Sequence, residues 1–399
     1  MVRGDAAWPA RTLVAIRLAF WVGAALTLLW QPARQNREWR DLGLPVFQAY
    51  DPFTDLLFNT FSHWDSGWYL SIAEYGYADN ETVAFFPLYP LTVRAVAVVT
   101  RSPLVAGVLV SLAAAAVAAV VLARLARPLL GDRGARDSVL YLALFPVSLV
   151  FTAVYSEGLF LALSAGAFLA AVQRRGLLTG VLAALAVATR SLGLALVPAL
   201  LVLLWPRSRS PRELLRPLLL VLAPLPLGLF ALYLHHRFGD ATAFVDAQRG
   251  WGRETPTLGP AEGLFDAIRA AYHGLAQLVL HLPRGAEGAV TRSDQVAIWH
   301  ITHLLFLAVA IWLTWIAWQR LGPAYGLYSA TVLAFVLATP ADWFPLLSLP
   351  RFLLADFPLF LALAAVTEGR PRAREAVLVS FAAVGAVAAA GFARHAWVA

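Results

Sequence analysis

The chain has 399 residues, of which 60% are hydrophobic and only 14% are charged. A soluble domain carries about a quarter charged residues, so this composition excludes an ordinary water-soluble fold. The net charge of +7 would suggest a nucleic-acid partner in a soluble chain. Here the basic residues are arginines placed mostly in loops between apolar segments, and we expect no nucleic-acid partner.

The apolar residues form runs of about 15 to 23, close to the roughly 20 residues that a helix needs to cross about 30 Å of hydrocarbon. Only helices and closed barrels satisfy their backbone hydrogen bonds inside a bilayer, and the alternating pattern of barrel strands is absent. The sequence therefore predicts an all-α integral membrane protein, one domain over residues 1–399, with about 11 transmembrane helices. The predicted spans are 12–30, 103–123, 137–153, 155–173, 177–190, 191–205, 215–234, 296–318, 323–339, 350–366 and 374–393.

Arginine is concentrated in the short loops that these spans create on one side: Arg124, Arg127, Arg133, Arg136, Arg174, Arg175, Arg207, Arg209, Arg212, Arg216, Arg320, Arg370, Arg372 and Arg374. The positive-inside rule assigns such loops to the cytoplasm and places the N-terminus there too. Two large loops, 31–102 and 235–295, then lie outside the plasma membrane. Residues 84–100 are predicted to be an interfacial or half-inserted part of the first loop. Residues 177–205 are predicted to form two short helices that meet at the outer face, at Arg190.

The stretch HWDSGWYLSIAEYGY in the first outer loop predicts a short interfacial helix, with Asp65 in its first turn and Gly76 as its stop. The amphipathic aromatic residues of this stretch are of the kind that settle at the lipid headgroups: Trp64, Trp68, Tyr69, Tyr75 and Tyr77. This arrangement would place a carboxylate where it can meet a lipid-linked sugar. An interfacial helix whose Asp65 only favours the helix dipole, by about 0.3–1 kcal/mol, explains the same residues.

The motif WDSGWYLSIAEYGY, followed by AFFPLYPLTVR, resembles the signature of the PIG-V family of mannosyltransferases. Similar stretches continue in the family's order: FPVSLVFTAVYSEGLFLALS at 145–164, ATRSLGLALVPALL at 188–201 and PRFLLADFPLFLALA at 350–364. The resemblance implies a multi-span fold of the GT-C class. It also implies an enzyme that moves a hexose, mannose by preference, from a polyprenyl-phosphate sugar to an extracytoplasmic acceptor such as a glycolipid, lipoglycan or protein.

Residue by residue, the resemblance implies that Asp65 is the catalytic general base of an inverting transfer. Glu157 is assigned as a second acid that orients hydroxyl groups, although a structural ion pair with Arg190 would also explain it. Arg351 is the first choice, and Arg190 the second, for the cation that grips the leaving phosphate, since a guanidinium can bind two of its oxygens. Interfacial snorkelling is the alternative for both. Further substrate contacts are assigned to five aromatic residues: Trp64, Trp68, Tyr69, Tyr155 and Trp251.

The second outer loop contains RFGDATAFVDAQRGWGRE at 237–254, whose mixed charges and glycines suit either a lid over the substrate or a solvated connector. His300 and His303 stand one helical turn apart, but no carboxylate lies at the spacing of a familiar metal motif. Because cysteine is absent as well, we expect no cofactor, while a divalent metal is left open.

Two other functions fit a polytopic chain. A lipid or glycolipid transporter or flippase would place ionisable residues or broken helices near the bilayer midplane, in segments related by an internal repeat. The sequence shows no such repeat, and its unusual residues cluster at the outer ends of spans. A non-catalytic membrane subunit would tolerate the loss of Asp65.

Overall fold

The computed structural model describes residues 6–30, 44–45, 47, 49–78, 81–253, 256–280 and 294–398. Within these ranges every extended regular element is a helix, and β structure is limited to isolated bridges of Ala341 with Arg253 and with Phe344. The predicted all-α class is therefore confirmed for the described part of the chain. Residues 31–43 and 281–293, which belong to the two predicted outer loops, lie outside it.

The first predicted span is present as helix α1, Trp8–Trp30. Three short helices follow in the first predicted outer loop: α2 (Pro52–Asn59), α3 (Asp65–Tyr75) and α4 (Leu88–Thr100). Asp51 caps α2 because its carboxylate accepts from the backbone N–H groups of Phe53 and Thr54. Gly76 stops α3 as predicted, with a φ of 78° that favours glycine and an N–H bonded to the carbonyl of Ile72.

Helix α5 runs from Pro103 to Leu144 and breaks at Gly131, where φ is 68° and ψ is −174°. Beyond the break the chain runs back towards the N-terminal part of α5. The evidence is a hydrogen bond of 3.1 Å from Ser111 Oγ, in that part, to the carbonyl of Tyr155. The arginine-bearing connection predicted as a loop at 124–136 is thus helical on both sides of Gly131.

The span predicted at 137–153 is wrong as a continuous helix. The α-helix ends at Leu144, two residues before Pro146. A proline disfavours helical backbone in the residue before it, which here is Phe145. The chain then continues through a 3-10 turn over Ser148–Phe151 to the start of the next helix.

The remaining helices follow in chain order: α6 (Glu157–Val172), α7 (Gly176–Thr189), α8 (Leu196–Leu204), α9 (Pro211–Leu218), α10 (Leu225–Phe238), α11 (Ala243–Arg249), α12 (Pro260–Val279), α13 (Asp294–Ile316), α14 (Pro323–Leu337), α15 (Leu349–Ala355), α16 (Phe357–Thr367) and α17 (Pro371–Ala393). The break predicted at Arg190 is confirmed: Arg190 has extended backbone, and a 3-10 segment, Ser191–Ala195, precedes α8. The second predicted outer loop contains two helices, α11 and the 20-residue α12.

Among the described residues, five helical segments are long and apolar enough to cross a membrane: Trp8–Leu28, Pro103–Leu144, Pro211–Phe238, Asp294–Leu321 and Pro371–Ala393. The pair α15 and α16, bent by 79°, makes a sixth if it is counted as one broken span. These helices fit a multi-pass membrane protein. The count of about 11 spans stays a prediction, because the other apolar helices have only 10–17 residues.

Arginines of the predicted cytoplasmic loops gather at one end of the bundle. Arg174 pairs with Glu213, and Arg374 Nε lies 2.7 Å from Asp137 Oδ1. Glu157 begins α6, and Arg174 follows its C-terminal end. The arginine cluster and the residues around Glu157 therefore lie at opposite ends of α6.

Helices α5 and α6 meet at a pair of small residues. A Cβ added to Gly158 would lie 2.7 Å from the backbone oxygen of Ser111, closer than any side chain tolerates. Small residues of this kind let two helix backbones approach inside a membrane protein. The contact fixes the start of α6, and with it the position of Glu157.

Candidate active site

Asp65 is the first residue of α3, and its position is set by the backbone before it. Trp64 adopts a φ of 55° and a ψ of −119°, an uncommon conformation for a bulky residue. The hydroxyl of Tyr155 donates to the carbonyl of His63 at 3.3 Å. This bond holds the segment in front of α3 against the start of α6, so the strained turn is supported by tertiary structure.

The carboxylate of Asp65 meets a cation rather than open solvent. Its Oδ2 lies 2.8 Å from Arg351 Nη1, and its side chain is 23% exposed. The sequence predicted a carboxylate of this helix at the membrane surface beside aromatic rings. The structure instead joins it to an arginine from α15, far away in the sequence, so the carboxylate is oriented by an ion pair.

Glu157 is fully buried and is neutralised by two arginines. Its Oε1 accepts from Arg351 Nε at 2.9 Å, from Arg351 Nη2 at 2.8 Å and from Arg190 Nη1 at 2.6 Å. A buried carboxylate costs several kcal/mol unless it is paired in this way. The ion pair of Glu157 with Arg190, which the sequence left as an alternative, is present. Its Oε2 has no hydrogen-bond partner among the described residues.

Arg351 connects the two acids. Its guanidinium holds Asp65 with one nitrogen and Glu157 with the other two, and its Cζ lies 4.6 Å from the centre of the Tyr155 ring. The sequence proposed Arg351 as the cation that grips a phosphate. The structure gives it two carboxylate partners, which engage three of its five N–H donors, and its role as a phosphate clamp stays a prediction.

Arg253 is a cation of the site that the sequence did not single out. Its Nη1 donates to the carbonyl of Thr339 at 2.8 Å, and its Nη2 donates to the carbonyl of Leu347 at 3.1 Å. Burial, and then the nearby charges of Arg351 and Arg190, lower the pKa of Arg253 to about 10, so it stays charged at neutral pH. Among its hydrogen bonds and ion pairs in the described chain, no acid appears. The available signal was an arginine two residues after Trp251 in a glycine-rich outer segment.

Arg253 and Arg190 approach each other over one aromatic ring. The Cζ of Arg190 lies 5.3 Å, and that of Arg253 5.6 Å, from the centre of the Phe352 ring. Phe352 follows Arg351 in α15, so this short helix brings three guanidinium groups to one place. Among the described residues, the acids that form ion pairs with these three groups are Asp65 and Glu157.

Of the aromatic residues assigned to substrate contact, Trp68, Tyr69 and Tyr155 are buried, whereas Trp64 and Trp251 are half-buried. Trp68 and Tyr69 are buried, because α3 packs against α4 and the start of α5. The Tyr69 hydroxyl bonds to Ser156 Oγ at 2.8 Å, and burial raises its pKa to about 12. The Trp251 ring lies edge-on to Trp68, with the centroids 6.2 Å apart. Trp68 and Tyr69 thus lie in an aromatic core shared by the two outer segments, and their depth at the lipid headgroups stays a prediction.

A cavity of about 20 Å³ lies directly beside Asp65 and Arg351. Trp64, Tyr155 and Trp397 also line it. This volume holds about one water molecule, so a sugar reaches Asp65 only after part of the wall has moved.

No group of three or more His, Asp or Glu residues in the described chain is placed to hold a metal ion. His300 and His303 both pack on Phe344, with ring centroids 4.8 Å apart in each case. The structure thus places these two imidazoles in an aromatic cluster.

Two solved structures are similar to the chain at low sequence identity. ArnT from Cupriavidus metallidurans, bound to undecaprenyl phosphate, matches with a TM-score of 0.51 and 15% identity, covering 94% of this chain and 63% of that protein. The oligosaccharyltransferase from Archaeoglobus fulgidus, crystallised with zinc and sulfate, matches with a TM-score of 0.42 and 12% identity, covering 95% of this chain and 52% of that protein. The chain therefore spans less than two thirds of the length of either protein, and the first likeness shows a common fold alone. No curated protein sequence matches the chain.

The family model described as mannosyltransferase (PIG-V) matches residues 16–207. The matched range contains Asp65, Glu157 and Arg190, whereas Arg253 and Arg351 follow it. The match covers slightly less than half of the chain, and over this range, which carries both acids of the site, the chain is similar to the mannosyltransferase (PIG-V) family.

Proposed function

We propose that the protein is an inverting mannosyltransferase that takes its sugar from a polyprenyl phosphate. The acceptor would be a glycolipid, lipoglycan or protein outside the plasma membrane. The observation that carries the proposal is the ion-pair network of Asp65, Arg351 and Glu157. It combines one partly accessible carboxylate with a fully buried one that fixes the arginine between them.

In this mechanism Asp65 is the general base. The acceptor hydroxyl gives its proton to the Asp65 carboxylate while its oxygen attacks the anomeric carbon of the donor. The bond from that carbon to the phosphate oxygen breaks on the opposite face, and its electron pair leaves with the polyprenyl phosphate. Attack opposite the leaving group inverts the anomeric configuration. Arg351 keeps the carboxylate aimed, because it is itself held by Glu157.

The leaving phosphate needs a cation, and Arg253 is best placed to supply it. A guanidinium has five N–H donors, and Arg253 uses two of its nitrogens on carbonyl groups, so further donors are left for a phosphate. Arg190 lies against the same Phe352 ring and would support it. This proposal moves the main clamp from Arg351, whose donors hold the two acids, to Arg253.

The proposed side of the membrane follows from the distribution of arginine. The end of the bundle opposite the site carries the arginines of the short loops, and the positive-inside rule places that end in the cytoplasm. The site then opens to the extracytoplasmic face, where a flipped lipid-linked sugar is available.

The test is sugar transfer by purified protein in lipid nanodiscs, with radiolabelled mannosyl-phosphopolyprenol as donor and a membrane lipid extract as acceptor mixture. We expect labelled product from the parent protein and almost none from Asp65→Asn. The product's anomeric configuration, read by NMR, should be opposite to that of the donor. Retention of configuration, or transfer by folded Asp65→Asn within a few-fold of the parent, would refute the mechanism.

A further inference from the structure

A second and larger pocket lies next to the proposed active site. Its volume is about 500 Å³, within the range of about 300–1,000 Å³ that is typical of small-molecule sites. Helix α12 forms one wall, the start of α13 another, and the segment 340–345 the third. The polar and aromatic lining residues are Asp266, Arg269, His273, His300, Asp342 and Trp343.

The lining suits a neutral ligand with many hydroxyl groups. Two carboxylates face one guanidinium, which disfavours a phosphate or another anion. The ring of Trp343 is 52% exposed and offers a flat apolar surface. A pyranose matches both features, because its hydroxyl groups donate to carboxylates and accept from guanidinium groups while its C–H face packs on an aromatic ring.

One buried group points to a missing hydrogen-bond partner in this pocket. His300 lines the pocket and is only 3% exposed, yet its Nε2 has no hydrogen-bond partner among the described residues. A buried polar atom left unpaired is costly, so native structures usually supply a partner. A ligand hydroxyl in the pocket would supply one.

The pocket is connected to the reaction centre through aromatic residues and one backbone bond. The ring of Trp343 lies 6.4 Å from the ring of Trp397, which lines the small cavity beside Asp65. The N–H of Asp342 donates to the carbonyl of Gly252 at 2.9 Å, and Arg253 follows directly. The two cavities are thus lined by tryptophan rings, Trp343 and Trp397, that lie next to each other.

We propose that this pocket binds the saccharide part of the acceptor, so that the acceptor is itself a glycan or glycolipid. This inference rests on the proposed function, since it names the acceptor class of the same enzyme. Trp343 would stack on a sugar ring, and Asp266 and Asp342 would accept from its hydroxyl groups. The bound saccharide would present its attacking hydroxyl towards Asp65 past Trp397.

The first test measures binding without catalysis. Saturation-transfer NMR with methyl mannoside, on protein in nanodiscs, should show transfer to the sugar protons in the parent and in Asp65→Asn. Trp343→Ala should weaken the signal about tenfold, the order of magnitude of one lost aromatic contact. Trp315→Ala, which removes a similarly exposed tryptophan of α13 outside this pocket, is the matched control and should not change it.

Asp266→Asn provides a second variant from the opposite wall, with little change of shape, and should weaken the signal as well. Unchanged binding in both Trp343→Ala and Asp266→Asn would overturn the inference.

The second test separates this inference from the proposed function. In the transfer assay, Trp343→Ala should raise the KM for a saccharide acceptor about tenfold and leave the KM for the donor unchanged. A parent enzyme that transfers mannose while both variants keep the acceptor KM would leave the function standing and refute the acceptor site. A parent that transfers nothing, but loses saccharide binding in Trp343→Ala, would refute the proposed function and leave a saccharide-binding pocket of another role.

Discussion

Arg351 Nη1 lies 2.8 Å from Asp65 Oδ2, and this contact joins the start of the short helix α3 to the short helix α15. The arginine is held from behind by Glu157, which is fully buried. A carboxylate that must take a proton in one orientation benefits from such a support, because positioning contributes to the rate independently of basicity. A substitution that removes the charge of one residue also leaves the charge of the other without this partner.

Asp65→Asn tests the general base. Asparagine keeps the size of the side chain and an oxygen that can accept from Arg351, but it cannot take the acceptor's proton. Turnover should fall by about 10²–10⁴-fold, the usual contribution of such a group. Donor affinity should change little, which equilibrium binding of the labelled donor can measure. Asp65→Glu should keep partial activity at best, since the added methylene displaces the oxygen.

Glu157→Gln tests the buried ion-pair network. The substitution leaves Arg190 and Arg351 close together without their shared acid, and breaking a buried pair costs about 3–5 kcal/mol. We expect a clearly lower melting temperature and a loss of activity, because Arg351 then no longer holds Asp65 firmly. Thermal unfolding of the purified protein, followed by tryptophan fluorescence, measures the first effect.

The double variant Glu157→Gln with Arg190→Gln is the informative control. It removes one cation together with the acid, so stability should recover in part while activity stays low. Stability that is unchanged in Glu157→Gln alone would contradict the pairing seen in the structure.

The sequence was sufficient for those features of the site that are local. The motif around Asp65, the stop at Gly76 and the break at Arg190 all depend on neighbouring residues, and the structure has each of them. It could not assign the partners of Arg351, because a guanidinium that would suit a phosphate suits a carboxylate equally well, and the choice depends on packing. The sequence could not predict the bond of Tyr69 to Ser156 for the same reason: an amphipathic ring fits an interface or a hydrogen-bonded core equally well.

Arg253 was overlooked although Trp251, two residues before it, was assigned to the site, because the sequence does not show which elements Arg253 contacts. Its hydrogen-bond partners in the described chain are the carbonyl groups of Thr339 and Leu347, which follow α14 far along the sequence. Helix lengths show a further limit of sequence patterns. The apolar run 137–153 has the length of a span, but the α-helix ends just before Pro146, and a short 3-10 turn follows it.

Arg253→Ala tests the proposed phosphate clamp. Hydrogen bonds to a charged group contribute about 1.5–3 kcal/mol, so the KM for the donor should rise about 10–100-fold. Arg253→Lys should recover only part of this loss, because lysine keeps the charge but not the fork of parallel donors. Kinetics at varied donor concentration measure both.

The matched control for this substitution is Arg320→Ala. Arg320 Nη1 also donates to a backbone carbonyl, that of Ala365, at 2.8 Å, but at the opposite end of the bundle. It should leave the donor KM unchanged. If Arg253→Ala and Arg320→Ala behave alike, the clamp lies elsewhere, and Arg190 is the next residue to substitute.

The orientation in the membrane can be tested directly because the chain contains no cysteine. Asp132 lies beside the break at Gly131, among the arginines of the predicted cytoplasmic side, and its side chain is 79% exposed. Leu258 precedes α12 in the second predicted outer loop and is 74% exposed.

In intact cells, a membrane-impermeant maleimide should label Leu258→Cys and should not label Asp132→Cys. Permeabilised cells should give equal labelling of both, which shows that each thiol is accessible in itself. The difference expected between the two variants in intact cells follows from the positive-inside bias of the short loops. Labelling of Asp132→Cys alone in intact cells would invert the topology and move Asp65, with the whole proposed site, to the cytoplasmic face.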